Sequence, residues 1–333
     1  MMMMICKRIL KLWFGVVAVL GIGTMLANSA VAQQTYPSKP IRFIVPYPPG
    51  GASDPLARLV GQKLTDSWGQ PVIIDNRGGG NGVIANEALV KSPADGHTIM
   101  LESANHAINP LLFPDQPYDT IKDFAPVATL VSTQYVLVLH PSIPANNLQE
   151  FIALAKSKPG QLNGGGSNTG GIQHLALELF NALAGVKLQN IPYKGGGQST
   201  IDLVAGRVQL SFNNPISLMP LIKSGKVKAI AVGGESRMST LPDVPTFTEA
   251  GVPGFTAKNW FGLVVPASTP RDIIGKLADE VNRMQATPDF RESLSSQGGE
   301  PFTSTPAQFA ALIKADLARY ARIIKEANIK VEN

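Results

Sequence analysis

Two glycine-rich stretches hold the residues best suited to chemistry. Residues 46–55 read PYPPGGASDP and follow the apolar run IRFIV, and residues 163–171 read NGGGSNTGG and lead into IQHLALELFNAL. Each sets a glycine turn between a strand-like run and a helix. Such a turn presents unpaired backbone N–H groups at the positive end of a helix, a ready site for a phosphate, nucleotide or carboxylate. Asp54 has the type and position of an N-cap, with Pro55 at the first helical position. If two domains face each other across a cleft, the two turns can hold opposite ends of one small acid. The alternative is that both are ordinary connections from strand to helix.

The other candidates for chemistry stay apart. His97, His106, His140 and His174 fall in no H-E-x-x-H spacing, and the chain has neither a G-x-S-x-G elbow nor a G-x-x-x-x-G-K-[ST] phosphate loop. RGGGNGVIANE at 77–87 follows PVIID and has Glu102 about where a ribose-binding acid would stand, but its three consecutive glycines read better as a structural turn. Asn76 and Arg77 beside it are candidates for lining a cleft. A helix N-terminus disfavours a charged imidazole, so His174 reads as a hydrogen-bonding residue of the second turn. Asp54 reads first as a cap and second as a ligand contact.

Strands and helices alternate around these turns. Leu56, Leu59, Val60 and Leu64 recur at helical spacing after the first turn; Leu175, Leu179, Phe180 and Leu183 do so after the second, and Gly185 stops that helix. PVIID at 71–75, HTIML at 97–101 and YVLVLHPS at 135–142 are strand-like. Beyond the second turn come KLQNIPYKGGG, helix STIDLVAG, strand VQLSF, helix ISLMPLIKSG and strand VKAIAVGG. Apolar runs without alternation point to parallel sheets covered on both faces, which makes the fold class α/β. The last third holds WFGLVVP at 260–266 and two long amphipathic helices, 271–285 and from 306 onward, without strands of their own to cover. They are expected to return to the first domain. That places crossings near 131–140 and 256–265, and domains at 33–133 plus 257–333 and at 134–256.

The N-terminus reads as a secretory signal peptide. Lys7, Arg8 and Lys11 precede an apolar stretch from about Leu12 to Leu26, and Ala-Val-Ala at 30–32 suits cleavage after Ala32. The stretch is short for a membrane span, which needs about 20 residues. Removing residues 1–32 takes away three basic and no acidic side chains, leaving 26 against 24 and a net charge of +2. A balance so near neutral, without a basic cluster, excludes nucleic acid as an expected partner. Cys6 is the only cysteine and precedes the apolar stretch, which excludes a disulfide framework and a lipid-anchored cysteine after the leader. An exported chain without disulfides suits a bacterial periplasm, and the 301 residues from Gln33 suit two domains.

Several longer stretches in series carry a resemblance. YPSKPIRFIVPYPPGGASDPLARLVGQKL, DNRGGGNGVIANEALVKSPADGHTIML, IPYKGGGQSTIDLVAGRVQLSF and LPDVPTFTEAGVPGF followed by NWFGLVVPASTP resemble the solute-binding receptors of tripartite tricarboxylate transporters, often called Bug proteins. The likeness runs from about Tyr36 to the C-terminus. It implies the type II periplasmic binding-protein architecture, two α/β domains joined by two crossing strands with a ligand cleft between them. It implies no enzyme activity, no cofactor and no metal. The ligand would be a small organic acid, bound largely through backbone amides and delivered to the integral subunits of a membrane permease.

Carried over by position, the resemblance marks Tyr47, Pro48, Gly50, Gly51, Ala52, Ser53 and Asp54 in the first turn, with the amides of 51–54 on one carboxylate and Tyr47 as a wall. In the second it marks Ser167, Asn168, Thr169, Gly170 and Gly171, where Gly166 and Gly171 replace hydroxyl residues of the family pattern. It adds Ser103, Asn105 and His106 from ESANHAINP, Tyr193, Lys194 and Gly195 from PYKGG, and Asn213 or Asn214 after the next strand. Lys194 is a candidate cation for a second carboxylate. Two other functions remain open: a periplasmic sensor docking on a membrane signalling protein, and an exported hydrolase or isomerase using His174 or Asp54 as base.

Overall fold

Residues 36–326 and 329 are described by a computed structural model; the expected leader at 1–32 lies outside the described residues. The first stretch runs β1 (Ile41–Val45), α1 (Ser53–Trp68), β2 (Val72–Asn76), α2 (Val83–Val90), β3 (Thr98–Ser103), α3 (Asn105–Leu112) and β4 (Phe124–Gln134). The second runs β5 (Val136–Leu139), α4 (Leu148–Ser157), β6 (Asn163–Gly166), α5 (Ile172–Ala184), β7 (Gln189–Pro192), α6 (Gly196–Val204), β8 (Leu210–Asn213), α7 (Pro215–Lys223) and β9 (Lys228–Val232). The chain then returns through β10 (Lys258–Pro266), α8 (Arg271–Gln285), α9 (Pro288–Ser295), β11 (Glu300–Pro301) and α10 (Pro306–Glu326).

Two α/β lobes result, each built on one sheet. The first sheet has the order β11-β4-β10-β3-β1-β2 and the second β7-β6-β8-β5-β9. β1 lies between parallel β2 and β3, so Ile41, Phe43, Ile44 and Val45 are wholly buried and read as one apolar run. Arg42 interrupts that run, and its guanidinium reaches Asp75 of β2 at 2.6 and 2.8 Å. Burial pushes the Asp75 carboxyl up, but bonds from Arg42 and Arg77 outweigh it and hold the group below its ordinary value.

The sheets are mixed, where the apolar runs predict parallel ones. β10 pairs antiparallel with β3 and β4, and β5 pairs antiparallel with β8 and β9. The reason is the crossing itself: β4 and β5 are nearly one strand that leaves the first sheet and enters the second, and β10 comes back against it. Only Tyr135 separates β4 from β5. Its N–H donates to Ala257 O at 2.8 Å, the Gly233 N–H donates to Tyr135 O at 2.8 Å, and the Ala257 N–H donates to Gly233 O at 2.9 Å. This closed triangle ties both crossings at one point. A β-carbon on Gly233 would lie 2.9 Å from Ala257 O, so the crossing strands meet where only glycine fits.

The sequence NGGG, read as the start of a turn, is β6. Its glycines serve helix packing: a β-carbon at Gly164 would lie 2.5 Å from the Leu177 side chain of α5, and one at Gly165 would lie 3.2 Å from Ser199 of α6. α1 begins at Ser53 with Ala52 in the cap position, and Asp54, expected to cap, instead pairs with Arg58 one turn on, at 3.1 Å. Leu56, Val60 and Leu64 are buried as their spacing predicts. Gly185 ends α5 in the left-handed region, at φ 63°. Leu183 of the same helix is exposed, because α5 buries Ile172, Ala176 and Leu177 beside Leu175 and Phe180 instead. The C-terminal helix α10 packs on the first sheet, where Trp260 donates to Asp316 at 2.7 Å and meets Phe309 edge-on.

Candidate functional site

Five connections from the carboxyl end of a strand to the start of a helix converge between the lobes. They are β1–α1, β3–α3, β6–α5, β7–α6 and β8–α7. Open α/β sheets form their crevices at such ends. The cavity there has about 50 Å³ of water-sized space. From the first lobe Tyr47, Pro48, Gly51, Ala52, Ser53, Ser103 and Asn105 line it, and from the second Ser167, Gly196, Asn213 and Asn214. Among the described residues that line it, none carries a charged side chain.

Its electrostatics therefore come from helix ends and neutral donors. Each helix N-terminus carries roughly half a positive charge, spread over N–H groups without intrahelical partners. Asn105 ties several parts together: its amide donates to the Tyr47 hydroxyl, and its Oδ1 accepts from the first amide of α5, Ile172 N, across the cleft at 2.9 Å. Burial, followed by the charge of Glu102, pushes the Tyr47 phenol up to about 12, so it stays a proton donor at neutral pH. In the second lobe Gln173 Nε2 donates to Asn213 Oδ1 at 2.6 Å, and Asn214 Nδ2 donates to Thr133 of β4 at 2.7 Å, across to the first lobe. Ser167 Oγ and Gln173 Oε1 are buried without a partner and belong to residues on the cavity wall.

The remaining residues of the sequence-based set lie elsewhere. Asp54 turns to Arg58. His106 is buried behind the site, 3.3 Å from Glu102 and edge-on to Phe124. A β-carbon on Gly197 would lie 2.6 Å from Gly50 C, one on Gly195 would lie 3.3 Å from Pro48 of the opposite lobe, and one on Gly170 would lie 2.9 Å from Phe113. Tyr193 turns its hydroxyl to Asp202 at 2.7 Å. Asn168, Thr169 and Lys194 line a second, larger cavity of about 710 Å³ at the rim, with Asn81, Phe113 and Asp115. Lys194 is exposed there and is not on the wall of the inner cavity. A β-carbon at Gly171 would lie 2.2 Å from Ser167 Oγ, so the Ser167 hydroxyl occupies the space that a side chain at 171 would need.

Tyr135, Ile172, Gln173, Asn259 and Phe261 line the cavity and were not anticipated. Asn259 Oδ1 accepts from Ala104 N at 3.2 Å and so fixes the β3–α3 connection. A polar residue at the head of the run NWFGLVVP was the signal for Asn259; for Gln173 it was a polar residue in the first turn of α5. The histidines remain dispersed: His97 lies at Asp95, His140 at Ser142, His106 at Glu102, and His174 accepts at Nδ1 from Gly170 N at 3.0 Å.

Residues 56–329 match the tripartite tricarboxylate transporter family receptor. The chain belongs to that family. It is 36% identical over 319 residues to protein BugT of Bordetella pertussis, covering 95% of this chain and 98% of the relative. Among solved structures it is similar to a protein of R. palustris with adipate, at TM-score 0.87 and 33% identity over 89% of this chain and 99% of the other. It is also similar to MatC of Rhodopseudomonas palustris with bound malate, at TM-score 0.82 and 30% identity over 87% of this chain and 100% of the other. Family and structural neighbours are solute-binding proteins of extracytoplasmic systems. Among the described residues no helix is long and apolar enough to cross a membrane.

Proposed function

We propose that this receptor captures a small organic carboxylate between its two lobes and delivers it to a tripartite tricarboxylate-type membrane permease. The observation that carries the reading is the inner cavity, ringed by five helix N-termini and neutral donors and free of charged side chains among its described walls. Such a wall favours an anion without requiring a lysine or arginine. The partnerless Ser167 hydroxyl and Gln173 carbonyl on that wall can bond a hydroxy acid or its bound water. Adipate and malate in the related structures support a dicarboxylate of this size class.

The chain is read as exported, cleaved after Ala32 and active in the periplasm, with lobes spanning 33–133 plus 257–333 and 134–256. The wall offers amides and hydroxyls without an acid–base pair, which supports capture rather than turnover. Ligand-binding roles are assigned to Tyr47, Gly51, Ser53, Ser103, Asn105, Ser167, Asn213 and Asn214. A thermal-shift panel of mono-, di- and tricarboxylates on refolded protein tests the reading. Ligand at 100 times its Kd adds about 2.7 kcal/mol and raises Tm by several degrees. A rise with one class of acid is expected, and no rise with any of them contradicts it.

A further inference from the structure

Where the lobes meet beside the inner cavity, backbone touches backbone. A β-carbon on Gly197 of α6 would lie 2.6 Å from Gly50 C, 2.8 Å from Gly50 O and 2.9 Å from Gly51 N. These three nearest atoms all belong to the opposite lobe, and all are main chain, which cannot swing aside as the end of a side chain can. Its backbone conformation does not require a glycine. Gly197 is absent from the positive-φ residues, unlike Gly50 at φ 92°, and it sits in the first turn of a helix that alanine would suit better. Its neighbours Gly196 and Gly51 line the cavity, while Gly197 itself does not.

We infer that Gly197 sets the size of acid the receptor encloses, by acting as the stop on which the two lobes close. With hydrogen at this position α6 lies against the Gly50–Gly51 turn, beside an inner cavity of about 50 Å³. A methyl group there holds the lobes apart by the overlap it would otherwise suffer, and the cleft stays deeper. Position 197 is thus a specificity determinant that acts through closure, without touching the ligand. The inference rests on the carboxylate reading for the ligand, but not for the stop itself.

The test has two arms. In the first, straight-chain α,ω-dicarboxylates from malonate to suberate are titrated calorimetrically into the unaltered chain, Gly197→Ala and Gly197→Val. Expected is a shift of the preferred chain length upward in Gly197→Ala, with at least a tenfold loss for the acid the unaltered chain prefers. Gly197→Val should lose the whole series. Melting of the ligand-free Ala variant should be unchanged or higher, as a helix position gaining alanine predicts. An unchanged chain-length profile in Gly197→Ala overturns the inference.

The second arm needs no ligand. Asp115→Cys and Lys194→Cys, in the chain from Gln33 that lacks Cys6, place thiols on opposite lobes at the rim of the larger cavity, where both residues are exposed. A bifunctional methanethiosulfonate then traps the closed form as it is visited. Bridging should be at least tenfold slower in the Gly197→Val background at unchanged ligand-free Tm, and equal rates overturn the stop. If no acid binds the unaltered chain while bridging still depends on residue 197, the carboxylate reading fails and the stop stands.

Discussion

Asn105 concentrates the logic of the site in one side chain. Its amide holds the Tyr47 hydroxyl, and its carbonyl accepts from Ile172 N of the other lobe. Asn105→Ala should weaken carboxylate binding by about 1–2 kcal/mol, the worth of such bonds. Asn105→Asp sets a like charge against the ligand and should cost about 100-fold, or about 2.7 kcal/mol, by titration calorimetry. The ligand-free melting temperature should move far less in either variant. Tyr47 predicts the response to pH. Its folded pKa of about 12 lies above the ordinary value of 10.0, so its share of stability is fully present below about pH 10 and is lost as pH rises through 12. Binding should be flat from pH 7 to 9, and Tyr47→Phe should make the alkaline fall in stability measured by urea titration shallower, the part owed to Tyr118, Tyr135, Tyr193 and Tyr320 remaining. Ser53 and Ser103, which both line the cavity, were marked by position through the family resemblance. Gln173 and Asn259 were not, because their neighbours in sequence read as core, and which face a residue presents depends on strand register and helix phase.

Among the elements, those legible in sequence are the ones whose own residues dictate them. α8 runs from Arg271 to Gln285 as its spacing predicts, because Pro270 fixes its start and an amphipathic face fills it. β6 was misread because its glycines answer to Leu177 and Ser199, which lie far along the chain. Mixed pairing escaped for the same reason: apolar runs report burial on both faces, and the direction of a crossing strand is set by the other lobe. Packing in the second lobe centres on Phe180, which meets Phe151, Phe212, Phe247 and Phe255 at centroid distances of 5.6–6.2 Å. Phe180→Ala should cost about 3–5 kcal/mol in urea unfolding with an unchanged m-value. At the crossing, Gly233→Val should loosen the Tyr135–Gly233–Ala257 triangle and broaden the range of interlobe distances seen by small-angle scattering.

Across the whole molecule, two lobes joined at one hinge bring five helix N-termini around a cavity that no single lobe could make. In the proposed function, lobes closed on the ligand exclude water and let weak partial charges act at short range, so that a site without a cation among its described walls holds an acid. The most direct measurement compares ligands of similar length with negative, zero and positive charge: adipate, adipamide and hexane-1,6-diamine, titrated calorimetrically into the refolded protein at pH 7.5. If adipate proves outside the size range, malate and malamide replace the first two. Binding of the carboxylate alone, with the amide at least 100-fold weaker and the amine silent, is the predicted result. Equal binding of acid and amide, or binding of the amine, would contradict the claim that helix termini select an anion here.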